Sequence, residues 1–243
     1  MKHLCEIKAG ARFLYGGVEW VKLSMSCGGV LSLAAESVFD RAFDEENCND
    51  FNKSSLRREL NGPFLDALIR EGADPAAFLE FGSDLTADDG MTDYGESTNK
   101  IALLSCNQYR EYRGLFPQIG EWWWTLTPWT CDPEYSYYVR FVNSSGALGY
   151  NSACSGSGGV RPLCNLSSDI LVSIPGEEDN APDTKAAHAE ALEDAHAAIL
   201  NTLEDYPSDV WGDALGAAVA SVLNMKRDAE EIKLEEQARR EQE

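Results

Sequence analysis

Histidine is nearly absent: the 243 residues contain three, His3, His188 and His196. All lie at the N-terminus or beyond residue 187, so no Ser-His-Asp or Cys-His arrangement can be assembled in the body of the chain. Bases are scarce as well, with 20 Lys and Arg against 41 Asp and Glu and a net charge of −21. Such a surface repels phosphates and anionic lipid, which excludes direct nucleic-acid binding. It leaves open an acidic inhibitor that imitates nucleic acid and blocks a basic groove. The seven cysteines (5, 27, 48, 106, 131, 154 and 164) include no CxxC pair, so neither a zinc knuckle nor a disulfide framework is indicated. Reduced thiols fit a cytoplasmic location. No stretch reaches the roughly 18 uncharged apolar residues of a membrane span, and the Met1-Lys-His-Leu-Cys-Glu start has no signal-peptide core. Gly-rich phosphate loops and dinucleotide fingerprints are missing too, and no cofactor is expected.

What is present is apolar and aromatic: 44% hydrophobic residues, 10% aromatic, six tryptophans. This is a folding composition, and the length allows one sizeable domain plus an appendage. Apolar runs at 13–15, 18–23 and 30–33, divided by Gly16-Gly17 and by Ser26-Cys27-Gly28-Gly29, predict a β-meander. Asn61-Gly62-Pro63 ahead of Phe64, Leu65, Leu68 and Ile69 predicts a short helix with proline in its first turn, ended by Gly72. A shorter helix is expected just before it, around Leu56. Lys100–Leu104 reads as a buried strand, and Ser105 with Gln108 has capping-box spacing for a helix through Tyr109 and Tyr112. From Trp122 to Ser173, aromatic and β-branched segments divided by Gly, Ser and Asn predict hairpins with polar loops. The class is α+β.

Composition breaks at Pro175–Pro182, a linker-like run. Residues 183–243 then read as an acidic α-helical tail, with Leu192, Ala195, Ile199 and Leu203 on one face and Leu215, Val219, Val222 and Leu223 resuming after Pro207. From 175 onward there are about 18 acids against about 6 bases, more than half of the net charge. The apolar stripe suits packing on the first domain, self-association, or attachment to another protein. His188 and His196 read as solvated helix residues.

The most distinctive stretch is Glu121-Trp122-Trp123-Trp124-Thr125-Leu126-Thr127-Pro128-Trp129. Tyr135-Ser136-Tyr137-Tyr138-Val139-Arg140, Asn143-Ser144-Ser145-Gly146 and Gly158-Gly159-Val160-Arg161-Pro162-Leu163 follow it. Together with Gly17-Val18-Glu19-Trp20, Phe43-Asp44, Ser55-Leu56-Arg57, Leu60-Asn61 and Leu103-Leu104-Ser105, these motifs resemble an uncharacterised bacterial and phage domain family. Its signature is a Trp-Trp-x-x-x-x-Pro strand, a Tyr-Tyr-Val hairpin and a closing Gly-Val-Arg-Pro. The resemblance covers residues 9 to 174. That family is similar in turn to the C-type-lectin-like fold of formylglycine-generating enzymes and of the variable proteins of diversity-generating retroelements. The resemblance implies a C-type-lectin-like domain over residues 1–174, and for Arg161 a structural ion pair holding the last strand to the body.

Three adjacent tryptophans in a strand point to alternating faces, so at most two of Trp122, Trp123 and Trp124 enter one core, and their expected role is structural. Trp129, after Pro128, is the candidate for an exposed aromatic contact. With Tyr135, Tyr137, Tyr138, Asn143, Tyr150, Asn151, Ser152, Cys154, Ser155 and Ser157 it makes up the candidate ligand-binding surface. Residues 150–158 hold only small, polar or Tyr residues, the chemistry of antibody loops, and each is reachable from an Asn codon by changes at its adenines. An ordinary Gly- and Ser-containing loop has the same composition.

The expected function is non-catalytic binding of a protein or glycan ligand, in a phage or mobile element, with loops diversified in the retroelement manner as one form of it. Three rivals stand beside it: an enzyme related to formylglycine-generating oxidases, the acidic mimic, and a structural component of a phage or mobile element. Those oxidases need a nearby reactive cysteine pair, whereas Cys154 and Cys164 stand apart in sequence with Arg161 as the one basic neighbour. Asp84, Asp88, Asp89, Asp93 and Glu96 surround Gly90, but without EF-hand spacing. Asx-turns explain such loops more simply than calcium, and no metal is assigned.

Overall fold

The computed structural model describes residues 1–26 and 29–175. The linker and helical tail expected from 175 onward, Pro175 apart, lie outside the described residues, as do Cys27 and Gly28.

In chain order the strands are β1 (Lys2–His3), β2 (Arg12–Tyr15), β3 (Val18–Ser26), β4 (Gly29–Ala34), β5 (Phe39–Asp40), β6 (Phe78–Leu79), β7 (Phe81–Asp84) and β8 (Glu96–Asn99). They continue with β9 (Ile101–Ala102), β10 (Trp123–Pro128), β11 (Tyr138–Val142), β12 (Leu148–Ser152), β13 (Gly159–Val160), β14 (Leu163–Ser167) and β15 (Leu171–Val172). Two sheets dominate. One orders β2-β3-β4-β14-β6, with β9 also on β14, and the other orders β12-β11-β10-β13-β5. With few helices beside them, the domain is α+β.

The meander forms because Gly16 and Gly17 both take positive φ, 59° and 73°, the two-residue turn that matches strand twist. Tyr15 thereby faces Val18 across the first ladder. One departure concerns Pro63. The shorter helix expected around Leu56 is α1 (Ser55–Glu59), where the Ser54 side chain accepts the Arg57 N–H, and it does not end before the proline. It runs through a π-type stretch, Leu60–Phe64, into α2 (Leu65–Arg70). Pro63 thus lies inside a widened turn, where a residue with no N–H to donate is tolerated. The Asn61 carboxamide ties this stretch to the strand region, accepting from the N–H groups of Lys100 and Ile101 and donating to the Ile101 carbonyl. The capping box at Ser105 and Gln108 opens α3 (Cys106–Tyr112).

Strand β10 divides the apolar interior. Trp124 joins Phe43, Phe51, Leu56 and Leu126 in one buried cluster, while Trp123 joins Tyr109, Phe116, Val142 and Leu163 in the other. Both rings are fully buried, on opposite sides, as the pleat requires. Trp122 is half-buried, edge-on to Trp124 at 4.8 Å and 5.0 Å from Phe141.

Arg161 is fully buried, and the expected ion pair is replaced by other contacts. Its Nε and one terminal nitrogen donate to the carbonyls of Ala34 and Ala35 at 3.1 and 2.9 Å. Its guanidinium lies 4.9 Å from the ring centres of both Phe116 and Trp123. Among the described residues no carboxylate pairs with it. Aromatic faces and carbonyl dipoles hold the charge instead, and burial lowers its pKa to about 10. No helix among the described residues is long and apolar enough to cross a membrane.

Candidate functional site

Past β10 the chain leaves the core. The ladder with β11 shifts register between Trp124 and Pro128, and the Trp129 N–H then reaches the Tyr138 carbonyl at 2.9 Å. This places Trp129 at the centre of a cluster of rings. Tyr150 stacks on it at 5.4 Å and 23°, while Tyr135 and Tyr138 stand nearly perpendicular to it, each at 5.7 Å. Tyr138 also meets Tyr150 at 5.1 Å and Tyr137 at 4.3 Å. Tyr135 and Tyr150 are 43% and 52% exposed, so the cluster opens to solvent where the β10 tryptophans do not.

Tyr150, Asn151 and Ser152, expected in a loop, belong to edge strand β12, where Arg140 opposes Tyr150 and Tyr138 opposes Ser152. Strand alternation then splits the candidate residues. Asn151 turns to a different cavity of about 400 Å³, shared with Asn143, Trp122 and Phe141. Asn143 is occupied by its own turn, its Oδ1 accepting from the N–H groups of Ser145 and Ala147. After β12, Ser155 closes a turn on the Ser152 carbonyl, and Cys154 donates its N–H to Asn47 Oδ1. Cys154 and Ser157 are exposed, and Ser155 is half-buried. Gly158 ends the loop against the core, where an added Cβ would collide with the Trp124 indole.

Residues not expected from sequence hold the cluster in place. Asn49 is fully buried and donates to the carbonyls of Thr130 and Tyr138, while its Oδ1 accepts from the Tyr94 hydroxyl at 2.8 Å. One side chain therefore fixes both strands of chain that carry Trp129 and Tyr138. A buried asparagine between Cys48 and Asp50 carries no sequence signal that could have singled it out. Arg140, half-buried behind the cluster, pairs with Asp88 at 3.3 Å, and Arg110 pairs with the same carboxylate at 3.2 Å. The Asp88 N–H meets the Pro128 carbonyl, which brings the 84–96 acidic loop to the end of β10.

Within that loop Asp84 Oδ1 accepts from the N–H and hydroxyl of Thr86, and Asp89 Oδ1 accepts from Met91 N, both Asx-type contacts. Among the described residues no group of three His, Cys, Asp or Glu side chains is placed to hold a metal ion. Cys164 is fully buried, which raises its thiol well above the ordinary value, and burial also raises Cys106 and Cys131. These thiols stay protonated at neutral pH and make poor nucleophiles.

Comparison with curated proteins and with solved structures returned no match. Residues 28–168 match the family model described as a domain of unknown function, DUF6273, and the chain belongs to that family.

Proposed function

We propose that this chain is a non-catalytic binding module in which the face built by Trp129, Tyr135, Tyr137, Tyr138 and Tyr150 recognises a protein or glycan ligand. The observation that carries the reading is the aromatic cluster itself. Five rings meet outside the two apolar cores, and two of them are about half exposed. Tyr and Trp supply large contact area with few rotatable bonds, so little entropy is lost on binding. The buried Asn49 and the β11–β12 ladder pre-set the geometry, which lowers the cost of association further. A C-type-lectin-like fold belongs to the same proposal and rests on the sequence signature. The protonated Cys164 counts against oxidase chemistry with Cys154. In this reading the acidic tail from residue 183 oligomerises the module or fastens it to a larger assembly.

The test is capture from lysate by the full chain, compared with a Tyr135→Ser, Tyr150→Ser double variant shown to be folded at the assay temperature. Partners retained by the wild type and lost by the variant support recognition through this face. An identical catch from both proteins would sink it.

A further inference from the structure

Beside the aromatic cluster lies a cavity of about 250 Å³, lined by Asp88, Asp89, Trp129, Thr130, Asp132 and Tyr135. It is too small for a whole drug-sized ligand, for which pockets start at roughly 300 Å³, and suits a single head group or side chain. Two of its walls are aromatic. Trp129 and Tyr135 meet edge to face at 89° with centroids 5.7 Å apart, and Tyr150 stacks on Trp129 while Tyr138 stands nearly perpendicular to it. The remaining walls carry carboxylates. Asp88 is already matched by Arg110 and Arg140. Asp89 and Asp132 are not: Asp89 Oδ1 accepts from Met91 N at 3.1 Å and Asp132 Oδ1 from Glu134 N at 2.9 Å. Among the described residues neither has a cationic partner.

A ring face carries negative π density, and two carboxylates without a cationic partner add negative charge at the same opening. An anion is repelled from such an opening, and an apolar group gains nothing from the carboxylates. The geometry points to a binding site for an alkylammonium cation, either on a lysine-type side chain of a macromolecule or as a free quaternary amine. This inference rests on the binding reading above and names the chemistry that this opening accepts. Tyr135 supplies one wall, Trp129 the other, and Asp132 and Asp89 the counter-charge.

The experiment is a titration of the full chain, followed by the indole N–H resonances and by calorimetry. Ionic strength is held constant with sodium chloride, because a chain of net charge −21 attracts any cation weakly. The probes are tetramethylammonium chloride, acetylated trimethyl-lysine amide, and the uncharged isostere 3,3-dimethylbutanol. Saturable shifts of the Trp129 indole are expected with both cations and not with the alcohol. Tyr135→Leu is expected to weaken cation binding about fivefold, while Tyr135→Phe keeps it within about twofold, because the ring and not the hydroxyl carries the attraction. Asp132→Asn weakens it as well, without moving the melting temperature. Tighter binding of the lysine derivative assigns the source to a side chain, and equal affinity assigns it to a free amine. Equal binding of the alcohol, or unchanged affinity in both Tyr135→Leu and Asp132→Asn, overturns the cation site. No cation response while partner capture still depends on Tyr135 and Tyr150 overturns this inference alone. A cation response with capture unchanged leaves it standing and removes the macromolecular reading.

Discussion

Trp124 and Trp129 stand five residues apart, one within β10 and one just beyond it, and the two surroundings are opposite. Trp124 is sealed by Phe43 at 6.0 Å, by Trp122 and by the backbone of Gly158, and its indole N–H is spent on the Arg41 carbonyl. Trp129 is surrounded by tyrosines, whose hydroxyls can face water, and by aspartates. Burial against hydrocarbon makes a ring structural. Packing it among amphipathic rings and carboxylates keeps it rigid while leaving it a surface to offer. The register shift between Trp124 and Pro128 separates the two environments, since the pairing with β11 resumes in a new register one residue before Trp129.

The largest effect should fall on the sealed side. Trp124→Ala empties a fully buried site next to the rings of Phe43 and Trp122 and is expected to cost about 3–5 kcal/mol in denaturant unfolding. A loss under about 1 kcal/mol would mean that this cluster collapses easily and that the contrast with Trp129 is overstated.

Arg161→Met comes next. It removes two hydrogen bonds from a charged donor to the Ala34 and Ala35 carbonyls and the cation between Phe116 and Trp123. About 2–4 kcal/mol should be lost, read by calorimetry, because methionine fills the volume without the bonds. Unchanged stability would show that the guanidinium is replaceable by hydrocarbon.

Behind the cluster, Tyr94 allows the contrast to be probed with pH. Burial, then nearby thiols and carboxylates, push its phenol well above the ordinary 10.0. A raised folded value favours the neutral form in the fold, so this contribution is full below the unfolded value near 10. It is lost as pH climbs from there towards the folded value. Stability measured in urea should therefore fall as pH passes 10, with a shallower slope in Tyr94→Phe. Equal slopes would remove Tyr94 as the cause.

Much of the domain was readable before its coordinates. The Gly16-Gly17 turn, the Ser105 capping box and the alternation of Trp123 and Trp124 are local rules, and local rules survive folding. The helix around Leu56 and the one after Pro63 were both legible, but not that they run on as one segment, because nothing in sequence signals the π-type stretch that accommodates the proline. For Arg161 the family resemblance implied an ion pair, yet the fold supplied aromatic rings and carbonyls, those of Ala34 and Ala35 from over 120 positions away. At the candidate site the aromatic residues were legible from type alone. Their division between two faces of the β11–β12 hairpin was not, because it depends on ladder register, and neither was Asn49, whose three partners are 45 to 89 residues distant.

The smallest expected effect on stability is also the sharpest test of the comparison. Tyr150→Ser removes a ring that is 52% exposed on an edge strand, so little buried area is lost. What disappears is its stacking on Trp129 and its edge contact with Tyr138, worth about 0.5–1.5 kcal/mol in such pairs. Denaturant unfolding should therefore shift by no more than about 1.5 kcal/mol, well below the loss for Trp124→Ala. Ligand capture, by contrast, should drop by more than that stability change accounts for, because Trp129 loses the ring that holds one of its faces. If Tyr150→Ser instead destabilised the domain as much as Trp124→Ala does, the cluster around Trp129 would be a third core. A binding surface tolerates the loss of an exposed ring in the unliganded protein, and a core does not.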